Sequence, residues 1–153
     1  MQVQEQSKTN GHRAHPKVPT ELKPGHVFVT LDEEIENFER EARRFRQDEE
    51  GQLEEFRPFR LMHGIYGQRQ EDNQMVRVKL PYGGVSADQM EALAVVAEKY
   101  SGYRRGHITT RENFQFHFVN LDRAPEVMRL LASVGLTTRE ACGNTVRNVT
   151  GCP

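Results

Sequence analysis

The chain has 153 residues, 36% hydrophobic and 28% charged, with 21 Lys/Arg against 22 Asp/Glu and two cysteines. That length supports one domain with a real core, or a small domain with extensions, and the near-neutral balance argues against a charge-driven nucleic-acid binder. No apolar run reaches the length of a membrane span, the N-terminus lacks the apolar stretch of a secretory signal, and Cys142 and Cys152 form no CxxC pair, so a cytoplasmic protein without a disulfide framework is expected.

Residues 1–26 are polar, hold Pro16, Pro19 and Pro24, and predict a mostly disordered arm. Residues 27–74 predict a helical extension and connecting segment. There Thr30-Leu31-Asp32-Glu33 has the form of a capping box, and Leu31, Ile35, Phe38, Ala42 and Phe45 recur at helical spacing on a charged helix. This first half, through residue 74, carries 11 Lys/Arg against 15 Asp/Glu; the remainder carries 10 against 7. The excess of cations in the second half suits a local site for a small anion.

From Met75 the pattern tightens. Met75 to Leu80 alternates as a strand and stops at Pro81-Tyr82-Gly83-Gly84. Ser86-Ala87-Asp88-Gln89 is a second capping box, opening a helix with Met90, Leu93, Ala94 and Ala97 expected inward. Gly106–Thr110 and Asn113–Val119 predict a strand pair, with Phe114, Phe116 and Phe118 on a buried face and Gln115 and His117 opposite. Pro125 suits a first helical turn, Val127, Leu130, Leu131 and Val134 a buried stripe, and Gly135 a stop. The order β-α-β-β-α over 75–138 is most of a ferredoxin-like α+β sandwich. Residues 139–153 then predict the start of a further domain.

Arg77 and Lys79 fall on the face opposite Val76, Val78 and Leu80. Arg111, Gln115, His117 and Arg147 are expected to join them, because guanidiniums gather where an anion neutralises them, and the planar fork of Arg grips oxyanions at two points. His117 has no second histidine at ligand spacing, and two cysteines cannot furnish the four thiolates of a cubane cluster.

Four stretches together resemble the N-terminal part of the siroheme-dependent nitrite and sulfite reductases. They are Phe59-Arg60-Leu61-Met62-His63-Gly64-Ile65-Tyr66-Gly67-Gln68-Arg69, then Val76-Arg77-Val78-Lys79-Leu80-Pro81, then Thr109-Thr110-Arg111 through His117, and Asn144-Thr145-Val146-Arg147-Asn148-Val149. The resemblance runs from about residue 33 to the end. It implies a ferredoxin-like half-domain beside siroheme-binding lobes, with electrons passing through a 4Fe-4S cluster to siroheme and on to nitrite or sulfite. By that resemblance Arg77 and Arg147 are substrate-anion ligands, and Arg111, Gln115 and His117 partner the siroheme carboxylates or macrocycle. Tyr66, Gln68 and Arg69 line the same cavity. It also implies an electron donor such as ferredoxin or a flavoprotein, and no nucleic acid or membrane partner. The chain stops at Gly151-Cys152-Pro153, before the cluster cysteines of the pattern, so it is expected to be an inactive N-terminal portion needing a C-terminal half. Cys142 is expected to be a packing thiol rather than one oxidatively coupled to Tyr66.

Two other functions fit the same element order: a stand-alone ferredoxin-like regulatory domain, and a nucleic-acid module that stacks bases on strand aromatics. The second requires the phenylalanines outward, whereas the alternation places them inward.

Overall fold

The computed structural model describes residues 31–47, 53–70 and 72–150. The expected arm at 1–26, Thr30 of the first capping box, and Cys152 lie outside the described residues. Helix α1 (Leu31–Gln47) is followed by α2 (Leu53–Met62), β1 (Ile65–Gly67), β2 (Asn73–Val78), α3 (Ala87–Lys99), β3 (Gly106–Ile108), β4 (Phe114–Asn120) and α4 (Ala124–Ala132). The strands form one antiparallel sheet in the order β1-β2-β4-β3. The β-α-β-β-α series is thus β2-α3-β3-β4-α4, and the fold is α+β.

One strand was not expected. A ferredoxin-like sheet places its last strand beside its first. Here β1 takes that edge of β2, pairing Ile65 with Val76 and Gly67 with Gln74. The chain after α4 reaches the same edge at one bridge, Lys79 to Thr137. Three residues that follow Gly64 and themselves end in Gly67 leave too short an alternation to announce a strand.

Ile35, Phe38, Val76, Val78, Leu93, Val96, Phe116, Val119, Val127 and Leu131 belong to one buried core. Burial of each large side chain contributes about 1.5–3 kcal/mol. His63 sits between the Phe38 ring at 5.3 Å and the Phe59 ring at 4.4 Å and faces Glu34 at 3.5 Å, joining α2 to α1. The Ser86 box forms on both sides: Gln89 N donates to Ser86 Oγ and Ser86 N to Gln89 Oε1. The inward stripe of α3, however, is Ala92, Leu93 and Val96, while Met90 is half exposed and Ala94 exposed. Gln89 takes the first place in that stripe, because its amide also donates to Val134 O at 3.1 Å.

The aromatic strand departs from strict alternation. Val76 pairs with Phe116 and Gln74 with Val119, so β4 holds one more residue than β2 over this interval. This is a β-bulge. Phe118 lies within it at φ 57° and leaves the core face, where Val119 takes its place. Its ring packs edge-on against Tyr103 at 4.5 Å. Phe116 is buried and Phe114 packs on the core. A base-stacking platform of three outward phenylalanines is therefore absent from β4.

Candidate functional site

Alternation on β2 and β4 sends Val76, Val78 and Phe116 into the core and leaves Arg77, Gln115 and His117 on the opposite face. The register then builds a row across three strands, since Arg77 pairs with Gln115 and Gln115 with His107. With its amide oxygen toward the guanidinium, Gln115 accepts from Arg77 Nε at 2.9 Å and also from Nη2. Arg77 Nη1 donates to Ala141 O at 3.3 Å. The guanidinium is thereby spread flat between β4 and the segment after α4.

That segment lies across one end of the open face. Lys79 Nζ donates to Val146 O at 3.3 Å, and Asn148 Nδ2 donates to Leu80 O at 2.5 Å and to Arg111 O at 2.9 Å. Cys142 is buried, with Sγ 3.6 Å from Gly64 O. Burial pushes its thiol above the ordinary range, and the nearby Arg77 and Arg147 oppose that shift. Both guanidiniums therefore act on one thiol. Arg147 Nε is buried without a hydrogen-bond partner. Arg147 as a whole is half-buried, so this Nε–H is a donor free to take an acceptor, as Arg60 Nε is elsewhere in the fold.

Beside this cluster, Tyr66, Gly67, Gln68, Arg69, Gln70, Met75, His117 and Phe118 line an open groove of about 530 Å³. Tyr66 is half exposed and Arg69 exposed. Gln68 bonds both His117 and the Phe118 backbone. The His117 ring meets His107 edge-on at 5.2 Å. Burial holds the His117 pKa below its ordinary value, and His107 and Arg77 add to that.

Arg77 and Gln115 thus pair across β2 and β4, Arg77 and Arg147 both act on the Cys142 thiol, and His117, Tyr66, Gln68 and Arg69 share the adjoining groove. Arg111 is different. It is exposed in the β3–β4 turn, and the bonds it makes are through its main chain, N to Thr109 Oγ1 and O from Asn148. Sequence reasoning passed over His107 and Asn148. The hairpin register would have placed His107 beside Gln115. Nothing local in Val146-Arg147-Asn148 reveals that Asn148 fastens two distant carbonyls.

Chemically, the face offers guanidinium, amide and imidazole groups to an acceptor-rich, anionic ligand. Among the described residues no group of three or more His, Cys, Asp or Glu is placed to hold a metal ion, and no helix is long and apolar enough to cross a membrane.

A ferredoxin-like half-domain with a cationic open sheet face is the class that fold and geometry define. Residues 66–134 match the family described as the nitrite/sulfite reductase ferredoxin-like half domain. Over 101 residues, 59% of this chain and 17% of the relative, it is 37% identical to an assimilatory ferredoxin-dependent nitrite reductase of Haloferax mediterranei. Over 79 residues, 52% of this chain, it is 42% identical to a chloroplastic ferredoxin–nitrite reductase of Arabidopsis thaliana and 37% identical to sulfite reductase (ferredoxin) 2 of Mycolicibacterium paratuberculosis, covering 14% of each. The chain thus spans well under a fifth of the length of these curated relatives. The solved structure of the Mycobacterium tuberculosis NirA protein shares its fold, with a TM-score of 0.62 at 24% identity over 82% of this chain and 28% of that one.

Proposed function

We propose that this chain supplies one wall of the siroheme and anion pocket of a nitrite or sulfite reductase, a wall built by the open face of its sheet. The observation that carries the reading is the buried, unpartnered Arg147 Nε next to Arg77 and Cys142. A carboxylate-rich macrocycle fits such a donor set, since guanidinium–carboxylate bonds are charge-assisted and directional. Arg77 and Arg147 would orient the substrate anion, His117 and Gln115 would hold macrocycle carboxylates or edge, and Tyr66 and Arg69 would line the groove. Arg111 would contribute from the rim. When bound, siroheme supplies the iron centre at which electrons reach nitrite, giving ammonia, or sulfite, giving sulfide.

The 4Fe-4S cluster is a different matter. Two cysteines cannot provide its four thiolates, so no step through a cluster is assigned to this chain. Its ligands would belong to a complementary C-terminal half, and ferredoxin would be the donor, as the names of the relatives state for those enzymes. In this reading the chain by itself turns over neither nitrite nor sulfite.

The test is equilibrium binding of siroheme to the purified chain, followed by absorbance. Each lost charge-assisted hydrogen bond costs about 1.5–3 kcal/mol, or roughly 10- to 100-fold in affinity, less where water screens the pair. Arg77→Ala and Arg147→Ala should each weaken binding toward that range. Equal affinity in wild type and both variants would overturn the assignment. Sustained release of ammonia or sulfide by the chain with siroheme and an artificial donor would overturn the need for a second half.

A further inference from the structure

We infer that Gln68 is a positioning residue that holds His117 as the neutral tautomer with its proton on Nε2. The inference deepens the proposed function and rests on that reading for the acceptor that Nε2–H meets; the tautomer itself does not depend on it.

The Phe118 backbone N–H can only donate, and it lies 2.7 Å from Gln68 Oε1. That bond orients the Gln68 amide, so its other end is the NH2 group, which can only donate. Gln68 Nε2 lies 3.3 Å from His117 Nδ1. An NH2 group facing a ring nitrogen requires an acceptor there, so Nδ1 carries no proton. The proton of a neutral ring is then on Nε2. A proton on Nδ1 would set two donors against each other, and turning the amide to relieve them would break the bond to Phe118.

The bulge and the tautomer are therefore one device. Phe118 at φ 57° is an uncommon conformation for a bulky side chain, and its N–H has turned from the strand ladder toward Gln68. The His117 carbonyl is also held, accepting from Gly102 N at 3.1 Å and from Ser101 Oγ at 3.0 Å. His107 on β3 and Arg77 on β2 are the titratable and charged groups acting on the ring, and both disfavour a second proton. What remains for a ligand is a fixed Nε2–H, a neutral donor suited to a carboxylate oxygen.

The test is NMR of the 153-residue chain labelled with ¹⁵N-histidine, reading the His117 ring nitrogens through their couplings to the carbon-bound ring protons. Wild type should show a bare Nδ1 and a protonated Nε2. In Gln68→Glu the carboxylate still accepts from Phe118 N–H but offers Nδ1 an acceptor. The proton should move to Nδ1, and the titration midpoint should rise by about 1–3 pH units. A proton on Nδ1 in wild type overturns the inference, and this arm needs no variant to fold. An unchanged tautomer in a folded Gln68→Glu chain overturns it as well. Siroheme is then added to wild type. A response at Nε2 supports the carboxylate acceptor, whereas the predicted tautomer with no response at Nε2 upholds the role of Gln68 and overturns the acceptor reading.

Discussion

Replacing Gly64 by alanine separates two costs that usually arrive together. Gly64 has φ +74°, and a Cβ placed on it would lie 2.2 Å from Thr138 O and 2.8 Å from Arg77 O. Both contacts are with backbone, so neither neighbour yields by a rotamer change. Gly135 has the same φ of +74° but nothing within 4 Å of its Cβ position. An L side chain in this left-handed region costs about 1–2 kcal/mol, and overpacking adds about 1–3 kcal/mol. Gly135→Ala should therefore lose about 1–2 kcal/mol and Gly64→Ala about 2–5 kcal/mol. The excess has a functional route, because Gly64 O accepts from Arg77 N at 2.9 Å and faces Cys142 Sγ. Forcing residues 138–142 outward would loosen Ala141 O from Arg77. Urea unfolding followed by far-ultraviolet circular dichroism suits a chain without tryptophan. With slopes of about 1–3 kcal/mol per molar, the two midpoints should differ by several tenths of a molar to more than one molar. Equal midpoints would refute the packing argument.

Ser86→Ala should cost about 1 kcal/mol by removing one arm of the α3 capping box, and differential scanning calorimetry should record a lower Tm. Native Cys142 should react slowly with iodoacetamide at neutral pH and quickly after denaturation, because burial both shields the thiol and raises its pKa. That raised value favours the neutral thiol in the fold. Its contribution to stability is complete below the unfolded thiol pKa near 8.5 and is lost as pH rises through the folded value, so denaturation midpoints should fall on the alkaline side. His117 has the opposite sign. Its folded pKa lies below the ordinary value near 6.5, so its contribution is present above that pH and is lost as pH falls through the folded value, which proton NMR of the ring should place below 6.5.

Much of the sheet was legible because its signals are local. Val76 and Val78 alternate with Arg77, Phe114 and Phe116 alternate with Gln115, and Ser86 stands three residues before Gln89; each relation concerns neighbours in the chain. The displacement of Phe118 was not legible, since the group that accepts its N–H is Gln68, fifty residues earlier. Met90 was misplaced for a related reason. A polar Gln89 begins the inward stripe by bonding Val134 O across the domain, which no hydrophobic period reveals. Within the candidate site, strand parity and register bring Arg77 and Gln115 together. Arg147 reaches the same region along a path without helix or strand, held by Lys79 to Val146 O and by Asn148 to Leu80 O. Arg111 shows the converse: a charged residue beside a strand draws attention, while the structure ties in its backbone.

In the proposed function the open sheet face, rather than the helical face, receives an anionic macrocycle. Backbone and side-chain NMR shifts of the isotope-labelled chain, recorded during a siroheme titration, distinguish the two faces. The changes should concentrate at Tyr66, Gln68, Arg77, Gln115, His117 and Arg147, with the outer residues of α1 such as Glu36, Arg40 and Arg43 unmoved. Saturable changes centred on α1, with Arg77, His117 and Arg147 silent, would contradict binding on the open sheet face.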